Sequence, residues 1–185
     1  MPTRLMFKMG CIVAGEWAEH SHPPVFSIQS SGTKLVSTAP GGDPLIFERL
    51  AACLAPPCFL LYILHTPRGE GEPGRYQSGE LSRTEVADFL EQFSQFLKQD
   101  SRFDLWLHSP EDAATVVWDR HNLIHAYGPV ETFAGVLRSL GFEKGEPEVP
   151  APHEHHYHRA LDVDAGAILA SLDWNRTPLQ PEDEQ

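Results

Sequence analysis

Residues 82–100, SRTEVADFLEQFSQFLKQD, carry the pattern that most restricts the fold. Ser82 and Glu85 have the S-x-x-E spacing of a capping box, in which each side chain serves the other residue's backbone amide. Leu81 and Val86 flank that start as a hydrophobic staple. Val86, Phe89, Leu90, Phe93, Phe96 and Leu97 then recur at helical spacing. One apolar stripe against a polar face predicts a helix that turns the stripe to a core.

Punctuation marks two further helices. In GGDPLIFERLAACLAPP, Asp43 stands as N-cap, Pro44 opens the first turn and Pro56-Pro57 stops the run. In YGPVETFAGVLRSLGF, Pro129 starts a segment that buries Val130, Phe133, Val136, Leu137 and Leu140, and Gly141 closes it. A shorter helix follows Asp164 through Ile168, Leu169 and Leu172.

Strands fill the intervals. VFSIQSSGTKLVS reads as a hairpin turning at Ser31-Gly32. CFLLYILHT is a continuous apolar run, which predicts a central strand covered on both faces. FDLWLHS and ATVVWDRHNLIHAYG supply three more, the last two joined by a tight turn at Arg120-His121. Strands interspersed with about four helices indicate an α+β fold on a mostly antiparallel or mixed sheet. Residues 1–174 read as one such domain, and residues 175–185, polar and proline-bearing, as a loosely held tail.

The chain of 185 residues is long enough to bury a core, and its 41% hydrophobic and 22% charged residues are those of a folded domain. A formal net charge of −12 argues against nucleic acid and anionic membrane surfaces, which select Lys/Arg clusters. It leaves room for a cation or a basic protein partner. No run approaches the roughly 18 apolar residues of a membrane span. MPTRLMFKMGCIVAG lacks the apolar region of a leader, because Lys8 interrupts it, and reads as the approach to a first strand. Cys11, Cys53 and Cys58 are odd in number and form no C-x-x-C pair, which suits reduced thiols in a cytoplasm.

Gly69, Gly71 and Gly74 fit G-x-G-x-x-G, yet the glycines open no helix: Pro73 interrupts, and the next helix starts only at Ser82. Glu70 and Glu72 would also face the phosphates with carboxylates. The expectation for residues 66–80 is a long mobile loop, in which Arg68, Arg75 and Tyr76 are candidates to contact a partner.

The one dense chemical signal is PHEHHYH, which holds His153, His155, His156 and His158. In an extended segment alternate side chains share a face, so His153 and His155 point one way and His156 and His158 the other. A His-x-His pair can converge on one ion, but a site needs a third ligand. Asp162, Asp164, His125 and His108 all qualify by type, and no spacing selects among them. Tyr157 occupies the position where a His-x-His-x-Asp-His string needs its acid. Pro150 and Pro152 place the segment at a sheet edge, partly exposed.

Two functions of different kinds remain. The first is a small acidic cytoplasmic binding module, like an immunity protein or adaptor, without cofactor, that holds a basic protein through Arg68, Arg75, Tyr76 and His156 among its contacts. Its acidic excess lies late in the chain, from Glu143 through Asp164 and Asp173 to Glu182, Asp183 and Glu184. The second is a metal-dependent hydrolase holding a divalent ion such as zinc through His153, His155, His158 and Asp162.

Overall fold

Local signals set the helices where the sequence places them. The Glu85 amide donates to the Ser82 hydroxyl at 3.3 Å, and the Ser82 amide donates to the Glu85 carboxylate at 2.7 Å. The Leu45 amide donates to Asp43 at 3.0 Å. The computed structural model describes residues 6–183. Residues 1–5, where the segment read for a leader begins, and Glu184, the last of the acidic run, lie outside the described residues.

In chain order the elements are β1 (Met9–Val13), β2 (Glu16–Glu19), β3 (Val25–Ile28), β4 (Lys34–Thr38), α1 (Pro44–Ala51), β5 (Phe59–Leu64) and β6 (Gly74–Gln77). There follow α2 (Arg83–Gln92), α3 (Ser94–Gln99), β7 (Phe103–Ser109), β8 (Ala114–Trp118), β9 (Leu123–Tyr127) and α4 (Val130–Ser139). The last are β10 (Glu143–Lys144), β11 (His153–His155), α5 (Asp162–Ser171) and β12 (Asn175–Thr177). The large sheet has the order β10-β3-β4-β9-β8-β7-β5-β6-β12, antiparallel except for the β10–β3 pair, so the fold is α+β on a mixed sheet. β11, β1 and β2 form a separate three-stranded antiparallel sheet.

Period-two alternation divides the large sheet. Phe103, Leu105 and Leu107 of β7 are buried, while Asp104 and Trp106 are half-buried and His108 exposed. Phe26, Leu35, Tyr62, Phe103, Val116, Trp118, Ile124 and Ala126 join the helix side chains Phe47, Leu50, Phe89, Leu90, Phe96, Phe133 and Leu137 in one core. The opposite face carries no helix of that core. In-register pairs run across it from Leu61 to Trp106, Val117, His125 and Val36.

Several expectations need correction. The stripe from Val86 to Leu97 belongs to two helices, because Phe93 leaves helical geometry (φ −104°, ψ 14°). The turn at Phe93 keeps Phe96 and Leu97 in the core all the same. β5 is flanked by strands on both sides, but its face away from the core is covered only in part: Ile63 is buried there, while Phe59 and Leu61 are half-buried. The glycine-rich stretch is no free loop: β6 pairs with β5, and Gly71 lies where a side chain would strike Leu169 at 2.6 Å. The tail is docked at its start, since Asn175–Thr177 pairs with β6. Asp183 is buried against Arg75 at 2.9 Å.

Candidate metal centre

β11 is the edge strand of the small sheet, as its prolines require, and its register on β1 fixes which histidines turn inward. Met9 faces His155 and Cys11 faces His153. Met9 and Cys11 are buried, so this face of the strand pair meets the body of the protein. There the rings of His153 and His155 meet a third, His121, from the turn between β8 and β9. Ring centroids lie 5.2 Å apart for His121 and His153, 4.9 Å for His121 and His155, and 5.2 Å for His153 and His155. One nitrogen from each of the three falls within 4.8 Å of the other two. A tetrahedral zinc with bonds of about 2.0–2.1 Å holds its nitrogens about 3.3 Å apart, so modest ring rotations close the site.

Two of the three rings are oriented from behind. His153 Nδ1 lies 2.9 Å from the Pro150 carbonyl, so Nδ1 carries the proton and Nε2 the free lone pair. His121 turns Nδ1 toward Asp119 Oδ2 at 3.8 Å, a carboxylate behind an imidazole as metal sites use it. Asp119 also accepts from the amides of His121 and Leu123, both at 2.9 Å, and from His125 Nε2 at 3.1 Å. Burial works against its ionisation, but the bonds from His121, His125 and Leu123 hold its pKa well below the carboxylate range. His155 Nδ1 has no hydrogen-bond partner among the described residues. Burial first, then His121, His153, Arg120 and Lys8, push the His155 pKa down to about 3. A proton on His155 is therefore disfavoured at a place where one nitrogen from each of three rings converges. A divalent cation satisfies all three at once.

Lys8, read from sequence only as an interruption, is 2% exposed with its amine 4.3 Å from the Trp118 ring and 4.6 Å from that of Phe103. Burial drives its pKa down to about 8 against the pull of Asp104, Asp119 and Asp100. The turn bearing His121 is fixed on both sides, since Asp104 accepts from the Arg120 amide at 2.7 Å while His65 holds its other oxygen at 2.8 Å.

The structure brings together two of the four ligands proposed from sequence. His158 donates Nε2–H to the Phe7 carbonyl at 2.9 Å, and its ring stacks on His156 away from the triad. Asp162 takes Arg102 at 3.0 Å and Arg68 at 3.1 Å on one oxygen. Of the other candidate third ligands, His125 sits behind the triad on Asp119, and His108 bonds to Thr115 on the exposed face. Three of the proposed partner contacts are engaged within the chain. Arg68 is held by Asp162, Arg75 by Asp183, and buried Tyr76 donates to the Glu72 carbonyl at 2.7 Å. His156 packs on Phe7, with Nε2 3.0 Å from Glu154 but at an angle that makes no hydrogen bond. His121 looked like an ordinary turn residue, because its approach to β11 depends on how the two sheets pack.

Beside the triad a cavity of about 570 Å³ opens over the uncovered face of the large sheet. His121 and Asp119 form one end of its wall; Trp106, Val117, Leu123, His125 and Tyr127 form an apolar and aromatic floor. Lys34 sits toward the far end, its amine 5.2 Å from the Tyr127 ring. Glu182 and Asp183 of the tail close one side.

No protein-family model, curated protein or solved structure matches the chain. Among the described residues no helix is long and apolar enough to cross a membrane.

Proposed function

We propose that the protein is a metal-dependent enzyme of hydrolase type, with a divalent transition ion held by His121, His153 and His155. The single observation that carries this reading is the convergence of three imidazoles, one nitrogen of each within 4.8 Å of the other two. Imidazole ligands suit zinc and its neighbours in the first transition row, and three histidines leave one coordination position for water or substrate. An ion there lowers the pKa of bound water toward neutrality and polarises a carbonyl or phosphoryl oxygen. The cavity beside His121 has the size of a small-molecule site, and its flat, largely apolar floor suits a small substrate with an apolar body. This reading replaces His158 and Asp162 with His121 in the ligand set.

The acidic surface keeps a second reading in view, a binding module for a basic partner, which the net charge of −12 favours. The two separate in one experiment. Protein prepared without a histidine tag is treated with a chelator, then reloaded with zinc or cobalt and assayed against small chromogenic carboxyl and phosphate esters. The enzyme reading expects turnover that disappears on chelation, returns on reloading and is absent from His121→Ala. Metal-independent behaviour in every assay would leave the binding module as the better account.

A further inference from the structure

The three ligands come from two different sheets: His153 and His155 from the small one, His121 from the β8–β9 turn of the large one. Something must set the distance between them. Cys11, His20 and His22 form a continuous line of contacts from one to the other. Cys11, opposite His153 on β1, has its sulfur 3.5 Å from His20 Nδ1. His20 Nε2 lies 3.2 Å from His22 Nδ1, and His22 Nε2 lies 2.8 Å from the carbonyl oxygen of His121.

The proton positions follow from the last link. A carbonyl oxygen only accepts, so His22 Nε2 carries a proton and, in the neutral ring, Nδ1 is a lone pair. His20 must then donate through Nε2, which leaves its Nδ1 to accept from the Cys11 thiol. Burial lowers the pKa of both rings, consistent with neutral imidazoles in this arrangement. The chain ends on a group that cannot pass a proton onward, so it is not a proton wire. It is a tether. The His121 amide is already tied to Asp119 at 2.9 Å, and His22 ties the carbonyl of the same residue.

We propose that the Cys11–His20–His22 chain is the bridge that sets the geometry of the metal triad, with His22 as the positioning residue for His121. The proposal rests on the metal reading above and adds residues that never touch the ion. Partners of this outer kind change metal affinity by about 10–100-fold when removed.

The test is titration of the tag-free, metal-stripped full chain with cobalt(II), read by its visible absorption and by competition with a chelator of known affinity. His22→Leu removes both hydrogen bonds; His22→Gln keeps an N–H for the carbonyl and an oxygen for His20. The expected result is cobalt affinity lowered about 10–100-fold in His22→Leu, with an altered absorption envelope, and largely restored in His22→Gln. His20→Leu, which cuts the bridge one link further out, should show the same change in weaker form and serves if His22→Leu fails to fold. Wild-type affinity and spectrum in a folded His22→Leu or His20→Leu, even with a lowered melting temperature, would reduce the chain to a structural role and overturn the bridge. A wild-type chain that takes up no cobalt would overturn the metal reading, and the bridge with it.

Discussion

Two polar clusters, one buried and one half-buried, lie where the segment from His153 to Asp162 meets the large sheet, and they are built on opposite principles. Around Arg102, 0% exposed, each of the three guanidinium nitrogens meets an acceptor. Asp100 takes Nε at 2.8 Å and Nη2 at 3.0 Å, Glu70 takes Nη1 at 3.0 Å, and Asp162 and the His158 carbonyl share Nη2 at 3.0 and 3.2 Å. Burial works against the guanidinium's charge, but Asp100, Glu70 and Asp162 hold its pKa above the ordinary value. Around His121, His153 and His155 one nitrogen from each ring lies within 4.8 Å of the other two, and His155 Nδ1 has no hydrogen-bond partner among the described residues. The first cluster is finished without a ligand. On the metal reading proposed above a cation would complete the second, and that difference is the one expected between a group that holds a fold and one that works.

The largest effect expected from this contrast is at Arg102. Arg102→Met leaves Asp100 and Glu70, both buried, without their counter-ion, and breaking such a pair costs about 3–5 kcal/mol. A urea midpoint unmoved by that substitution would mean the cluster is not the closed structural unit described.

Lys8 stands between the clusters, within electrostatic reach of Asp100 on one side and Asp119 on the other. Its folded pKa, about 8, lies below the model-peptide value of 10.5, so as pH rises the native state loses the proton first. The unfolded chain then binds more protons, and stability rises with pH across that interval. Relative to Lys8→Met, the wild type should gain about 3 kcal/mol between pH 8 and 10.5. Parallel stability curves for the two proteins would show that the amine is better solvated than its position indicates.

His155 gives a smaller change at the opposite end of the scale. Its folded pKa, about 3, lies below the ordinary 6.5, so the unfolded chain takes up the proton first as pH falls below 6.5. Stability supplied by the neutral ring is present above pH 6.5 and is lost progressively down to about 3. Discounted for the ring's partial exposure, the loss is about 2 kcal/mol. Metal-free wild type should therefore be more acid-labile than His155→Leu in denaturant titrations at pH 6.5 and 4. Equal acid sensitivity would place the ring in open water and remove the crowding that the site depends on.

How much of this was legible in the sequence follows the range of each interaction. The capping box at Ser82, the Asp43-Pro44 helix start and the hairpin at Ser31-Gly32 are set by residues within a few positions, and all were readable. So were the edge position of PHEHHYH and the shared face of His153 and His155, since both follow from prolines and strand alternation. His121 was not, because it stands 32 positions before His153 and only the packing of one sheet on another joins them. Cys11, His20 and His22 lay still further off in sequence. Arg102, inside SRFDL, gave no sign that Glu70 from a glycine-rich stretch would reach it.

The most direct measurement is metal content. Protein expressed without a histidine tag and purified without chelator should carry close to one equivalent of zinc, or of a neighbouring divalent ion, per chain. His121→Ala should lose that ion while His158→Ala keeps it, because His158 is committed to the Phe7 carbonyl. A wild-type chain that is metal-free as purified and acquires none on dialysis against zinc would contradict the account, as would retention of the ion by His121→Ala.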